Sequence, residues 1–203
     1  MKMKDAHRFA NSSQKVKSWA SSTLVLMYNR LILSALYEVF FMEDSERKPH
    51  LSQYGSVDPA PPANEGNVGL WLDILQNEKL PMFERMRAVF SLRNERSDEA
   101  CLALCQGFTS SSALLRHELA YVLGQMQNPV ALPTLTERLA DPAEHVMVRH
   151  EAAEAMGAIG ERTVIPVLQQ FSKDPLPEVS ESCIVALDLL AWVSGSEFET
   201  TEW

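Results

Sequence analysis

Between Val68 and Leu190 the apolar residues recur at three- and four-residue intervals, in short runs separated by residues that start or stop helices. The runs Val68–Glu78, Ser97–Phe108, Pro129–Ala140 and Thr163–Lys173 each predict a helix. Each is followed by a second amphipathic run, beginning near Phe83, Leu115, Val148 and Val179. The breaks fall at Arg93-Asn94, Asn128-Pro129, Asp141-Pro142, Gly157 to Gly160 and Asp174-Pro175-Leu176-Pro177. No run alternates with period two strongly enough to predict a strand. Aligning Arg85, Arg116, Arg149 and Ser180 gives spacings of 31, 33 and 31 residues, a period that signals stacked helical hairpins. The predicted fold is all-α, a HEAT-type α-solenoid of about four helical pairs in which each repeat touches mainly its neighbours.

Residues 1–50 do not share this pattern. Lys2, Lys4, Arg8, Lys15 and Lys17 precede an apolar run from Trp19 to Phe41, which Asn29, Arg30 and Glu38 interrupt. The charged residues argue against a membrane span, and no small-residue cleavage site follows the short apolar core before Asn29. The expectation is a divergent N-terminal segment, helical or extended, that carries no chemistry. Residues 51–69 contain Ser56-Val57-Asp58-Pro59-Ala60-Pro61-Pro62, where consecutive prolines forbid helix, and read as a Pro-rich linker. Residues 70–194 read as the repeat domain and 195–203 as a C-terminal tail.

Charge and cysteine content narrow the function classes. The net charge is −9, unevenly spread. Residues 1–50 hold eight Lys/Arg against five Asp/Glu, and the remainder ten against twenty-two. A body this acidic argues against nucleic-acid binding and suits a basic partner. Cys101, Cys105 and Cys183 form no metal-binding spacing and read as buried, unreactive thiols of an intracellular protein in a reducing compartment.

One feature stands apart from the scaffold. Leu115-Arg116-His117-Glu118 and Val148-Arg149-His150-Glu151 sit 33 residues apart at the same place in the repeat. The outer repeats read Met86-Arg87 and Glu181-Ser182 there, whereas apolar positions such as Phe90, Tyr121, Ala155 and Ala186 read as recurring in all four. A fold requirement acts on every repeat, so a pair confined to two of them answers to something local. Equivalent helices of a solenoid pack about 8–10 Å apart, so imidazoles on the same rung can converge on one ion at bonds of about 2 Å. The following Glu points about 100° round the helix, toward a second site or a supporting role. Imidazole with carboxylate suits iron, manganese or zinc. Tyr121 and Met147 flank this pair and read as core packing, with the lining of a pocket as the alternative; His145 reads as an exposed turn residue, and Trp71, Trp192 and Trp203 as packing or terminal residues.

The residues around the pair carry a family resemblance. The linker Ser56–Pro62 is followed by Phe83-Glu84-Arg85, Leu92-Arg93-Asn94, Ser112–Glu118, Tyr121–Gln125, Met147–Gly157, Glu181-Ser182-Cys183 and Val185–Asp188. Together these resemble the C-terminal half of deoxyhypusine hydroxylase, the HEAT-repeat di-iron monooxygenase of hypusine biosynthesis. The resemblance implies Fe2+ ligation by His117, Glu118, His150 and Glu151. It also implies a cytoplasmic enzyme that hydroxylates the deoxyhypusine side chain on the precursor of eukaryotic translation initiation factor 5A. Family members look like two related halves, each with two His-Glu pairs. Here residues 1–50 stand in place of the first half, so the implied ligand set is incomplete, and a metal-dependent homodimer is expected to complete it. The alternative is a non-catalytic HEAT-repeat interaction module that retains half of a metal site. A lyase-type HEAT protein of the phycobilisome kind shares the scaffold but does not account for the linker.

Overall fold

The first helix-starting signal after the prolines is Asn67, whose side chain accepts from the Leu70 N–H at 3.0 Å. From there the computed structural model, which describes residues 48–195, runs through eight α-helices. They are α1 (Val68–Gln76), α2 (Met82–Glu95), α3 (Asp98–Gln106), α4 (Ala113–Met126), α5 (Leu132–Ala140), α6 (Val146–Ile159), α7 (Ile165–Phe171) and α8 (Pro177–Val193). Single 3-10 turns follow α3 and precede α5 and α7. The described residues are all-helical and form four consecutive pairs, as the periodicity predicts. The expectations for residues 1–47 and 196–203 lie outside the described residues, and no described helix is long and apolar enough to cross a membrane.

Local chemistry sets the boundaries. Ser97 and Ser112 cap α3 and α4 through Ala100 and Leu115, and Gly160, at φ 85°, ends α6. One predicted break moves. Arg93 and Asn94 lie inside the last turn of α2, and the chain turns instead at Arg96, in the left-handed region at φ 61°. Ser97 caps the next helix at once, so the connection narrows to Arg96 alone.

Leucines at helical spacing fill the interior: Leu75, Leu92, Leu104, Leu115, Leu119, Leu123, Leu135, Leu139 and Leu168 are fully buried. The repeat arginines tie one repeat to the next. Arg85 donates to the Ser110 hydroxyl at 2.8 Å, Arg116 to Glu144 at 2.7 Å, and Arg149 to Asp174 at 2.5 Å. Each guanidinium thus reaches the turn of the following repeat. Where that turn offers only Ser110, Glu78 completes the arrangement, 3.1 Å from Arg85.

The second helices of the pairs pack closely, α4 on α6 and α6 on α8, because small residues meet there. A Cβ on Gly124 would lie 3.1 Å from the Ala155 Cα, and one on Gly157 would lie 2.9 Å from the Ala186 Cα. These contacts fix the register of the rung that lies about two turns toward the N-termini.

The Pro-rich stretch read as a linker is strapped along α2. Asp58 receives two hydrogen bonds from Arg93, at 3.0 and 2.6 Å, and the Arg93 side chain is fully buried. Arg93 also donates to Gln125 on α4 at 2.9 Å and lies 4.4 Å from the Tyr54 ring centroid. Ala60 is buried, and Ser91 accepts from the Ala63 N–H at 2.8 Å.

Candidate metal centre

The α4–α6 register brings the His-Glu repeats together across the helices. His117 Nε2 lies 3.2 Å from Glu151 Oε2, and His150 Nε2 lies 3.9 Å from the same oxygen. The two rings are 5.7 Å apart, tilted by 37°. His117, His150 and Glu151 therefore each offer one donor atom, all within 4.8 Å of one another. Bonds of about 2 Å would set neighbouring donors about 2.8 Å apart at right angles and about 3.3 Å apart at tetrahedral angles. Glu151 is 8% exposed, and its carboxylate holds the His117 pKa above the ordinary value. Burial opposes that shift, and the charges of Glu151, Glu118 and Glu154 reinforce it.

A second observation bears on whether these residues fit a metal. His150 Nε2 is buried and makes no hydrogen bond among the described residues. Buried polar atoms are normally satisfied, so a ring nitrogen left facing two other potential ligand atoms fits an ion. Two imidazoles with one carboxylate is also a recurring donor set for non-haem iron.

The fourth predicted residue, Glu118, does not join this cluster. It leaves α4 one position after His117, as Glu151 leaves α6 after His150. The helix on its other side, α2, carries Met86 at the histidine position. Burial pushes the Glu118 carboxyl above its ordinary pKa, which the positive charges of His117 and Arg93 oppose and the negative charges of Glu151 and Asp58 reinforce.

Two readings of the flanking residues change. Tyr121 and Met147 are 37% and 44% exposed, not core, because they share the open face that carries the histidines. The register set by Gly124 and Gly157 makes Tyr121, Glu154 and Val185 equivalent, whereas Ala155 and Ala186 sit one position on. Apolar character is therefore broken at one point, Glu154, whose Oε1 accepts from the Ser182 hydroxyl at 2.8 Å and lies 3.4 Å from His150 Nδ1. Position-by-position alignment of the repeats carries that signal. His145 is exposed and caps α6, its Nδ1 accepting from the Met147 N–H at 3.2 Å. Beside the rung lies a groove of about 420 Å³, walled by Tyr121, Ala155, Val185 and Leu189 and edged by Glu151 and Glu154.

Residues 115–141 and 148–174 match the family described as PBS lyase HEAT-like repeat. The chain is 48% identical to deoxyhypusine hydroxylase of Bos taurus over 157 residues, which cover 77% of this chain and 50% of that protein. The Kluyveromyces lactis deoxyhypusine hydroxylase is 54% identical over 151 residues, 73% of this chain and 47% of that protein. This chain is a homologue of the deoxyhypusine hydroxylases. A solved structure of human deoxyhypusine hydroxylase in complex with glycerol superposes with a TM-score of 0.70 at 46% identity, covering 78% of this chain and 55% of that one. The chain spans about half the length of the curated deoxyhypusine hydroxylases it matches.

Proposed function

We propose that this chain supplies one layer of an iron-dependent deoxyhypusine hydroxylase centre. In this reading it acts in the cytoplasm on the deoxyhypusine form of the eukaryotic translation initiation factor 5A precursor. The convergence of His117, His150 and Glu151, in a chain about half identical to these hydroxylases, carries the reading. Those three residues would hold one iron, and Glu118 would serve a second from the α2 side. Iron there would supply activation of O2, one oxygen atom entering a C–H bond and the other leaving as water with electrons from an external reductant. The chain's own residues do the rest. Tyr121, Val185 and Leu189 wall an apolar groove for the aliphatic stem of the substrate side chain, and Glu154 at its edge meets the amine. Residues 70–194 carry this site, and the acidic body suits a basic partner surface.

Two His-Glu repeats furnish half of the donor set that the family resemblance implies. In this reading a second copy faces the first through a two-fold interface and supplies the rest. Like charges oppose such pairing until metal neutralises the carboxylates, so assembly follows iron. The test is sedimentation of metal-free and iron-loaded chain, paired with single-turnover hydroxylation of a deoxyhypusine-bearing partner. A dimer that forms with iron, dissociates on chelation and hydroxylates is the expected result. An iron-binding monomer without activity would favour the non-catalytic interaction module instead.

A further inference from the structure

We propose that Glu154 and Ser182 are positioning residues, which hold the neutral His150 ring with its proton on Nδ1 and its Nε2 lone pair aimed at the metal rung. This rests on the metal reading given above. The Ser182 hydroxyl donates to Glu154 Oε1 at 2.8 Å. With that proton committed, Ser182 offers His150 only a lone pair, and a carboxylate offers nothing else. His150 Nδ1 lies 3.4 Å from both oxygens. Of the two neutral tautomers, only the one protonated at Nδ1 is attracted to this pair; the other turns a lone pair toward two acceptors. Nε2 is thereby left as the acceptor, and it is the buried atom with no hydrogen bond among the described residues, 3.9 Å from Glu151 Oε2.

The repeat register shows that this support is particular to one histidine. Four positions after His117 stands Tyr121, and the equivalent position of α8 is Val185, so neither can serve as a carboxylate behind a ring. Ser182 occupies on α8 the place that Glu151 occupies on α6. Its short side chain leaves space for Glu154 to reach the far nitrogen of the ring. A carboxylate behind a ligating imidazole fixes the tautomer and raises the basicity of the ligand, and its loss typically weakens metal binding about 10- to 100-fold.

The test uses the full chain, 15N-labelled and metal-free, with the His150 tautomer read by long-range proton–nitrogen NMR. Cobalt(II) affinity is then read by absorbance. The parent should show His150 protonated at Nδ1. Glu154→Leu should lose that preference and bind cobalt about 10- to 100-fold more weakly. Glu154→Gln should retain both, because its amide oxygen can accept from Ser182 and His150 alike. Ser182→Ala, which leaves Glu154 unclamped, should fall between. Glu154 has a half-exposed side chain, so these variants should fold, and circular dichroism checks it. His150 protonated at Nε2 in the parent, or a Glu154→Leu variant unchanged in tautomer and affinity, would overturn the proposal. A parent that takes up no cobalt overturns the metal reading instead, while the metal-free tautomer still decides whether Glu154 orients the ring.

Discussion

His117 and His150 are alike in sequence and unlike in setting. His117 faces the Glu151 carboxylate through Nε2, whereas His150 is backed through Nδ1 and its Nε2 makes no hydrogen bond among the described residues. Both lie on an open helix face, so truncation should remove a ligand without opening the core. His117→Ala and His150→Ala are each expected to lose most bound iron while helical content stays within error of the parent, measured by metal analysis and circular dichroism on the same samples. Equal iron retention in the double variant would count against ligation. At this scale the convergence of His117 and His150 was legible beforehand, because a dipeptide repeated in two repeats and missing from two others points to a local role. Glu118 and Glu151 were not distinguishable, since both follow a histidine. What separates them is the residue on the preceding helix, His117 for one and Met86 for the other. Glu154 escaped notice because alanines one position on mimic an unbroken apolar row.

The helices owe their spacing to a few small contacts, and these are where single changes should tell. Replacing a helical glycine with alanine gains up to about 1 kcal/mol of intrinsic helix stability, against an overpacking cost of about 1–3 kcal/mol. At Gly157 the new Cβ would meet the Ala186 Cβ at 2.8 Å and its Cα at 2.9 Å, against 3.3 and 3.1 Å from Ala155 at Gly124. Gly157→Ala should therefore destabilise the fold and Gly124→Ala stay close to neutral, read as urea midpoints at unchanged slope. The strap makes the stronger prediction. Removing one partner of a buried ion pair costs about 3–5 kcal/mol, and Asp58→Ala should fall near the low end because Gln125 and Asn94 still accept from Arg93. A urea midpoint equal to the parent's would show the strap to be incidental. The helical pairs themselves were readable from periodicity, but the strap was not. Proline runs report backbone conformation, and nothing in them discloses a buried arginine 35 residues away.

Across the whole molecule the turn carboxylates govern the response to acid. Hydrogen bonds from Ser111 and Ser110 and the charge of Arg85 hold Glu78 at about 2, against an ordinary value near 4.5. Burial works to raise Glu144 and Asp174, but hydrogen bonds from Arg116 and Arg149 keep both below their ordinary values. A carboxyl lowered by folding contributes stability that is complete above its unfolded pKa and lost as pH falls through its folded one. The thermal midpoint should thus fall between about pH 4.5 and 2, and Glu78→Gln should flatten that fall. An unaltered profile in the variant would remove Glu78 from the account. His117 and Glu118, both held above their ordinary values, act with the opposite sign and lose stability as pH rises.

The register also has an arithmetic to it. Glu151 on α6 reaches back to His117 on α4, and Ser182 on α8 reaches back to His150 on α6; Glu118 reaches back toward a repeat without a histidine. Contacts between repeats are like the gaps in a fence, always one fewer than the posts. Two His-Glu repeats in a row yield a single glutamate-to-histidine step between helices, Glu151 to His117, which leaves Glu118 with no histidine behind it and His150 with no glutamate on the helix ahead. Lengthening the row is then a matter of two substitutions, Met86→His at the near end and Ser182→Glu at the far end, each of which would add one such step.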